Sequence, residues 1–326
     1  MIEQVLPNIY HIHIPLPGSP LKELNSYLIK GDGHNLLIDT GFRQKECREA
    51  MEYALEELKV CKEETDVLLT HRHNDHAGLA DLCVGSQRHI FVNGTERPFL
   101  QGIDREKNYE IVNRRFLAEG FSHAEVTEMA TKNPARVLGI PPGFERFSEV
   151  CDGDVLEIGN YKLKAILTPG HTPGHMCFWL EEQGAMFLGD HVLFTITPNI
   201  TSWSGFPDAL GHYQNSLKAV RAYDVEIPLP AHREVGNFKE RIDHLLIHHE
   251  HRLNETLKII KENPGWCAYK IAGKMTWSIR CNSWDDFPIV QKWFAVGECM
   301  SHLERLLAEG EIVVGEKDGI KQYFSV

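Results

Sequence analysis

Short apolar runs alternate along the first part of the chain with segments whose apolar residues recur every three or four positions. Strands are predicted at Asn8–Ile14, Ser26–Lys30 and Asn35–Asp39, with Gly31-Asp32-Gly33 as a hairpin turn. A helix is predicted over Arg43–Leu58, where Ala50, Met51, Ala54 and Leu58 share one face. A buried strand, Val67-Leu68-Leu69-Thr70, comes next, then a helix starting near Asp75 and a strand at His89–Val92. Strands recur around Val155–Ile158, Lys162–Thr168, Met176–Leu180 and Met186–Leu188, before a helix over Asp208–Ala222 and a strand at Val225–Leu229. Strands that are apolar on both faces and alternate with helices predict an α/β fold of two packed sheets with helices outside.

Two stretches break the alternation. Residues 94–147 run longer than loops usually do without structure of their own. Within them Phe116, Leu117 and Phe121, then Val126, Met129 and Ala130, predict two amphipathic helices closed by Pro134 and Pro141-Pro142. Beyond His232 a long helix is predicted over Asn237–Glu262, ended by Asn263-Pro264-Gly265. A helix around Val290–Glu309 and strands at Ile312–Gly315 and Gln322–Phe324 follow. The chain therefore divides into a domain at 1–236, carrying a helical insertion at 94–147, and a second domain at 237–326.

The chemistry concentrates in His71-Arg72-His73-Asn74-Asp75-His76, directly after the strand ending at Thr70. Neutral imidazole is a common ligand for zinc and its neighbours, and a nearby carboxylate can bind metal or orient water. So dense a set of donors behind a strand is hard to explain as packing.

The spacing H-x-H-x-D-H resembles the metallo-β-lactamase superfamily, and other parts of the chain match its pattern in order. They are Leu36-Leu37-Ile38-Asp39, the run Thr168-Pro169-Gly170-His171-Thr172-Pro173-Gly174-His175, then Phe187-Leu188-Gly189-Asp190, and Leu229-Pro230-Ala231-His232. The resemblance implies a four-layer αββα sandwich holding two metal ions. One would take His71, His73, His171 and Asp190; the other Asp75, His76, His232 and the same Asp190. It also implies that Asp75 handles a proton and that Asp39 fixes the tautomer of a liganding imidazole. His175 is expected to brace its loop, and His191 to lie near the metals, among the groups behind the ligands or in an ordinary loop. An Asp at position 190, where true β-lactamases carry Cys or Ser, points to the glyoxalase II-like dinuclear branch. Zinc suits the histidine-rich set, with iron or manganese as alternatives at one or both positions. By the same resemblance, the 94–147 insertion and the loop Thr195–Pro207, with Trp203 and Phe206, would wall a substrate pocket. The helices and small β wing after residue 237 resemble a winged-helix tail found on some related hydrolases, RNA endonucleases among them.

Composition narrows the partners. With 34 basic and 46 acidic side chains the formal charge is -12, the wrong sign for a nucleic-acid track. The last predicted helix adds Glu298, Glu304 and Glu309 against Lys292 and Arg305. No apolar run approaches the roughly 20 residues needed to span a bilayer, so no membrane partner is expected. The opening Met1-Ile2-Glu3-Gln4 has no basic and apolar leader, and the eight cysteines form no C-x-x-C pair. Cytoplasmic residence with reduced, mostly buried thiols is the expectation. The tract His248-His249-Glu250-His251 falls in a helical pattern and reads as a solvated face.

The expected activity is hydrolysis of a small acyl ester or thioester by metal-bound hydroxide. Phosphodiester cleavage of the RNA endonuclease kind, and a non-catalytic regulatory protein with a vestigial site, are the alternatives. The tail is expected to pack on the catalytic domain, close the pocket or form a dimer contact.

Overall fold

A computed structural model of the protein describes residues 1–132, 138–278, 281 and 283–326. The chain falls into two compact units. The first comprises Met1–Ile103, Pro134–Pro198 and Ser216–Ile242; the second comprises Asp104–Asn133, Asn199–Asn215 and Asp243–Val326.

The first unit is built on two sheets. Seven strands form one of them in sequence order: β1 (Ile2–Leu6), β2 (Ile9–Leu16), β3 (Lys22–Ile29), β4 (Asn35–Ile38), β5 (Thr65–Leu68), β6 (Ile90–Val92) and β7 (Phe147–Glu149). Strands β1 to β4 pair antiparallel, and β4 to β7 pair parallel. The other sheet has the order β12-β11-β10-β9-β8, from β8 (Val155–Ile158), β9 (Tyr161–Leu167), β10 (Met176–Leu180), β11 (Ala185–Gly189) and β12 (Ile227–Pro230). Only its β11–β12 pair is parallel. Ile29, Leu36, Ile38 and Leu68 of the first sheet meet Leu163, Phe178, Phe187 and Leu229 of the second in one buried cluster. The opposite face of the first sheet packs Leu37, Val67 and Leu69 against Met51 and Ala54 of helix α1 (Lys45–Glu57). Beside the second sheet, Tyr223 sets its ring edge-to-face on Trp179, just past helix α7 (Ala209–Val220). This is the expected sandwich.

Most predicted elements recur with ends displaced by a residue or two. Strands β1 and β7 were not foreseen: β1 alternates weakly and β7 has only three residues. The helix expected near Asp75 is two short pieces, α2 (Asn74–Ala77) and α3 (Ala80–Cys83). Gly78 lies between them, where an added Cβ would sit 2.4 Å from the Leu138 carbonyl and 2.6 Å from the Arg43 nitrogen. That close approach of backbones fixes the end of α2, and with it Asp75 and His76. All eight cysteines are free thiols, with Cys47, Cys83, Cys177, Cys267 and Cys299 buried.

The second unit gathers the insertion helices α5 (Arg105–Ala118) and α6 (His123–Lys132) with α8 (Phe238–Glu262, most of its length), α9 (Ala268–Ala272), α10 (Ile289–Ala308) and a hairpin of β13 (Ile312–Lys317) and β14 (Ile320–Ser325). Phe116, Phe121, Val126 and Met129 share one core with Ile260, Ile271, Val296 and Leu303. Phe116 stacks on Trp293 at 3.5 Å between centroids. The sequence boundaries at 94–147 and 237 therefore cut across the packing: the middle of the insertion is core for the C-terminal helices. Pro134, expected to close α6, lies outside the described residues. No helix among the described residues is long and apolar enough to cross a membrane.

Two sequence readings need correction here. His249 is not on a solvated face; it is buried, with Nδ1 3.4 Å from His302 Nε2, whose own Nδ1 donates to the Glu298 carbonyl at 2.8 Å. Nor do the charges of α10 form a simple surface. Glu298 pairs with Arg252 at 3.4 Å, Glu304 with Arg115 at 3.2 Å, and Lys292 is buried beside Tyr269. Charge counted along a helix says little about its exposed field when several of the charges point inward.

If the insertion helices are core, Phe116→Ala should cost about 3–5 kcal/mol, the usual penalty for a buried aromatic. Denaturant unfolding measures this. A loss below about 1 kcal/mol, the size expected of a solvated cap residue, would refute the shared core.

Candidate metal centre

The chemistry-bearing residues collect at one edge of the two sheets. Asp39 follows β4, the His71–His76 run follows β5, Asp190 follows β11, His232 follows β12, and His171 precedes the antiparallel β10. Backbone hydrogen bonds lace that edge together. The Asp39 N–H donates to the Leu68 carbonyl (3.0 Å), Met176 to Thr70 (3.0 Å), Ala231 to Gly189 (3.1 Å) and Asn25 to Ala231 (2.7 Å). The Met176–Thr70 bond runs from one sheet's connections to the other's, so the loops from both sheets are held in register.

Two groups of side chains result: His71, His73, His171 and Asp190, and then Asp75, His76 and His232, the donor atoms of each lying within 4.8 Å of one another. His73 Nδ1 is 2.9 Å from His71 Nε2 and 3.0 Å from His171 Nε2. His232 Nε2 is 3.4 Å from Asp75 Oδ2, and His76 Nε2 is 3.8 Å from it. Asp190 divides its oxygens between the groups. Its Oδ2 is 3.4 Å from His171 Nε2, while Oδ1 is 3.5 Å from His76 Nε2 and 3.4 Å from His232 Nε2. All seven residues expected as ligands are thus brought together.

The far nitrogens of the rings are tied to groups behind them, which decides the tautomers. His232 Nδ1 donates to the Glu23 carbonyl at 2.7 Å, and His76 Nδ1 donates to Asp39 Oδ2 at 2.7 Å. His71 Nδ1 lies 3.0 Å from Thr70 Oγ1, which is 2.8 Å from the same Asp39 Oδ2. Asp39 also accepts from the Thr70 N–H at 2.9 Å. One carboxylate therefore orients His76 directly and His71 through a hydroxyl, turning each Nε2 toward the centre. His175 Nδ1 meets Thr168 Oγ1 at 2.9 Å and its Nε2 accepts from the Asp190 N–H at 3.1 Å. His191 is buried behind that ring, 5.9 Å from His175 between centroids. Thr70 was missed as a separate contributor because a threonine before a histidine carries no metal signal of its own.

Electrostatics separate the two groups. Burial lowers His71 well below the usual imidazole value, with His76 and His73 adding to it, and lowers His73 to about 3 with help from His171. Burial also lowers His175 strongly and His191 to about 3. These rings are neutral at physiological pH, the form that ligates. In His76 burial works the same way, but Asp39, Asp190 and Asp75 overcome it and raise the ring well above the usual value. Burial raises the carboxyls of Asp75 and Asp190, and the neighbouring histidines reverse that and hold both low. Ionised carboxylates in so buried a place attract positive charge. His76 Nε2, His232 Nε2 and Asp190 Oδ1 are moreover buried without a hydrogen-bond partner. Orphaned donor atoms converging on one place are costly unless a cation satisfies them, so the donor set fits metal ions.

The chain belongs to the metallo-beta-lactamase superfamily, whose family model matches residues 23–232. It is a hydrolase built on that fold. A crystal structure of a metallo-beta-lactamase family protein from Thermus thermophilus superposes with a TM-score of 0.82 at 28% identity, covering 99% of this chain and 100% of that one. The beta-lactamase-like protein 2 homolog of Caenorhabditis elegans is 26% identical over 86% of this chain and 81% of its own length. An atrochrysone carboxyl ACP thioesterase of Aspergillus novofumigatus is 27% identical over 72% of this chain and 56% of its own length.

Gly189 tests how tightly the layer under the centre is packed. Its φ is +50°, and a Cβ there would lie 2.6 Å from His175 Nε2 and 2.8 Å from Thr70 Oγ1. Gly189→Ala should therefore destabilise the protein by more than about 1 kcal/mol. A wild-type melting temperature in that variant would show that the layer yields freely.

Proposed function

We propose that the protein is a dinuclear metal hydrolase of the glyoxalase II-like kind, acting on a small acyl ester or thioester. The observation that carries this reading is the division of the Asp190 oxygens between the two histidine groups, at 3.4 Å on one side and 3.4 and 3.5 Å on the other. A carboxylate so placed suits a bridge between two ions. His71, His73 and His171 would complete one position, and Asp75, His76 and His232 the other. Zinc matches the imidazole-rich donors best, with iron or manganese as alternatives. Bound there, a metal pair supplies an activated water and a Lewis acid for the substrate's carbonyl oxygen.

The chain's own residues do the rest. Asp75 is ionised and sits among the second group, where it can align the attacking water, accept its proton and pass it to the departing alkoxide or thiolate. Asp39 and Thr70 hold His76 and His71 in the tautomers that present Nε2. His175 supports the Asp190 backbone from below. A thioester is favoured because one relative is named a thioesterase. The winged-helix reading of the C-terminal helices and the β13–β14 hairpin rests on the sequence resemblance, and Glu298 and Glu304 of α10 are paired with Arg252 and Arg115.

A metal-loaded sample assayed against acyl thioesters, esters, lactones and RNA tests the reading. Thioester or ester turnover is expected. Asp75→Asn, with its metal content measured in parallel, should lower kcat by about 10²-fold or more while KM changes little. Metal-dependent RNA cleavage that disappears in His71→Ala, without acyl turnover, would instead assign the site to phosphodiesters.

A further inference from the structure

Glu96 is fully buried just before the short helix α4 (Arg97–Leu100), in a stretch that sequence reasoning assigned to a pocket-lining insertion. The turn that delivers it is fixed by Asn93 at the end of β6. The Asn93 side chain accepts from the Thr95 N–H at 3.0 Å and donates to the Val150 carbonyl at 3.2 Å, and the Glu96 N–H donates to the Asn93 carbonyl at 3.0 Å. The carboxylate then reaches two separate loops. Oε2 accepts from the Arg72 N–H at 3.2 Å, between His71 and His73. Oε1 accepts from the Gly174 N–H at 2.6 Å, between His171 and His175. The Arg72 side chain returns to the same carboxylate, with Nε 3.4 Å from Oε2, giving the buried charge a partner. Gly174 leaves no room for a side chain: a Cβ would stand 2.9 Å from Glu96 Cγ and Oε1 and 2.7 Å from Asn93 Oδ1.

We propose that Glu96 is a positioning residue that clamps the two loops carrying His71, His73 and His171, and so sets the geometry of the first histidine group. The inference deepens the dinuclear reading and rests on it. Those three rings come from loops 98 residues apart in sequence at the His73–His171 contact, and Glu96 is a single side chain that accepts from the backbone of both loops. Its bonds at Arg72 and Gly174 are to backbone N–H groups, so its effect on the rings passes through the backbone. His76 and His232 have further supports, Asp39 (shared with His71 through Thr70) and the Glu23 carbonyl, so the clamp matters most for His73 and His171. Loss of the clamp therefore acts on one position and spares the other.

Glu96→Gln keeps the shape but replaces one acceptor oxygen by an NH2, which then faces a backbone N–H. Stepwise zinc titration against a competing chelator, and Co(II) spectra on the same variant, read the outcome. Wild type should take up two equivalents. The variant should bind one of them about 10–100-fold more weakly, the usual penalty for removing support behind a ligand, and the other unchanged. Amide hydrogen exchange of Arg72 and Gly174 in metal-free protein should accelerate. Should Glu96→Gln fail to fold, Glu96→Asp, which keeps both oxygens one methylene short, should show the same selective weakening to a smaller degree. Equal weakening of both equivalents would mark a merely structural residue, and unchanged affinity and exchange would remove the clamp; either overturns the proposal. A wild-type chain that binds no metal would overturn the dinuclear reading as well, which separates the two failures.

Discussion

Asp190 is a buried carboxylate facing histidines on both sides, and its burial is the constraint to which the rest of the edge answers. An isolated carboxylate in such a place is strongly disfavoured unless positive charge or hydrogen bonds meet it. Its own N–H is already spent on His175, and Oδ1 has no hydrogen-bond partner. What remains is the ring of imidazole nitrogens, of which those of His71, His76 and His232 are turned inward by a bond on the far side. The glycine before it, the neutral His175 beneath it and the Thr70 hydroxyl beside it form one tightly fitted layer. The sheets, through the backbone bonds between β-strand ends, hold that layer in place.

This site was unusually legible in the sequence because metal ligation demands a few residue types at strand ends in a fixed order. His71, His73, Asp75 and His76 are adjacent in the chain, and Asp39, His171, Asp190 and His232 each sit in a short recognisable turn. Glu96 and the Glu23 carbonyl were not legible. A backbone carbonyl has no residue signature, and a lone glutamate after an Asn-Gly turn looks like any surface residue until the two loops it bridges are folded over it. Most strands showed as apolar runs; β7 did not, because three residues of mixed polarity are too few to show a period.

The second unit shows where periodicity misleads. Two helices form as expected, though only α6 buries a stripe, Val126 and Met129, while α5 buries Phe116 alone and Phe121 lies between them; an apolar stripe does not name its partner. Phe116, Phe121, Val126 and Met129 find theirs among residues far along the chain, in α9 and α10. In the same way, His249 sits in a tract that looks solvated, yet helical phase turns it inward onto His302 while Glu250 and His251 stay exposed. Sequence proximity made the tract look like a unit; a rotation of about 100° per residue separates its members.

The most direct measurement is the metal content of the purified, reloaded protein beside its Asp190→Ala variant, with folding checked on both. Two equivalents per chain in the wild type and a marked fall in the variant are expected, since one carboxylate serves both positions. Two tightly held equivalents in the variant, or none in a correctly folded wild type, would contradict a bridged dinuclear centre at this edge.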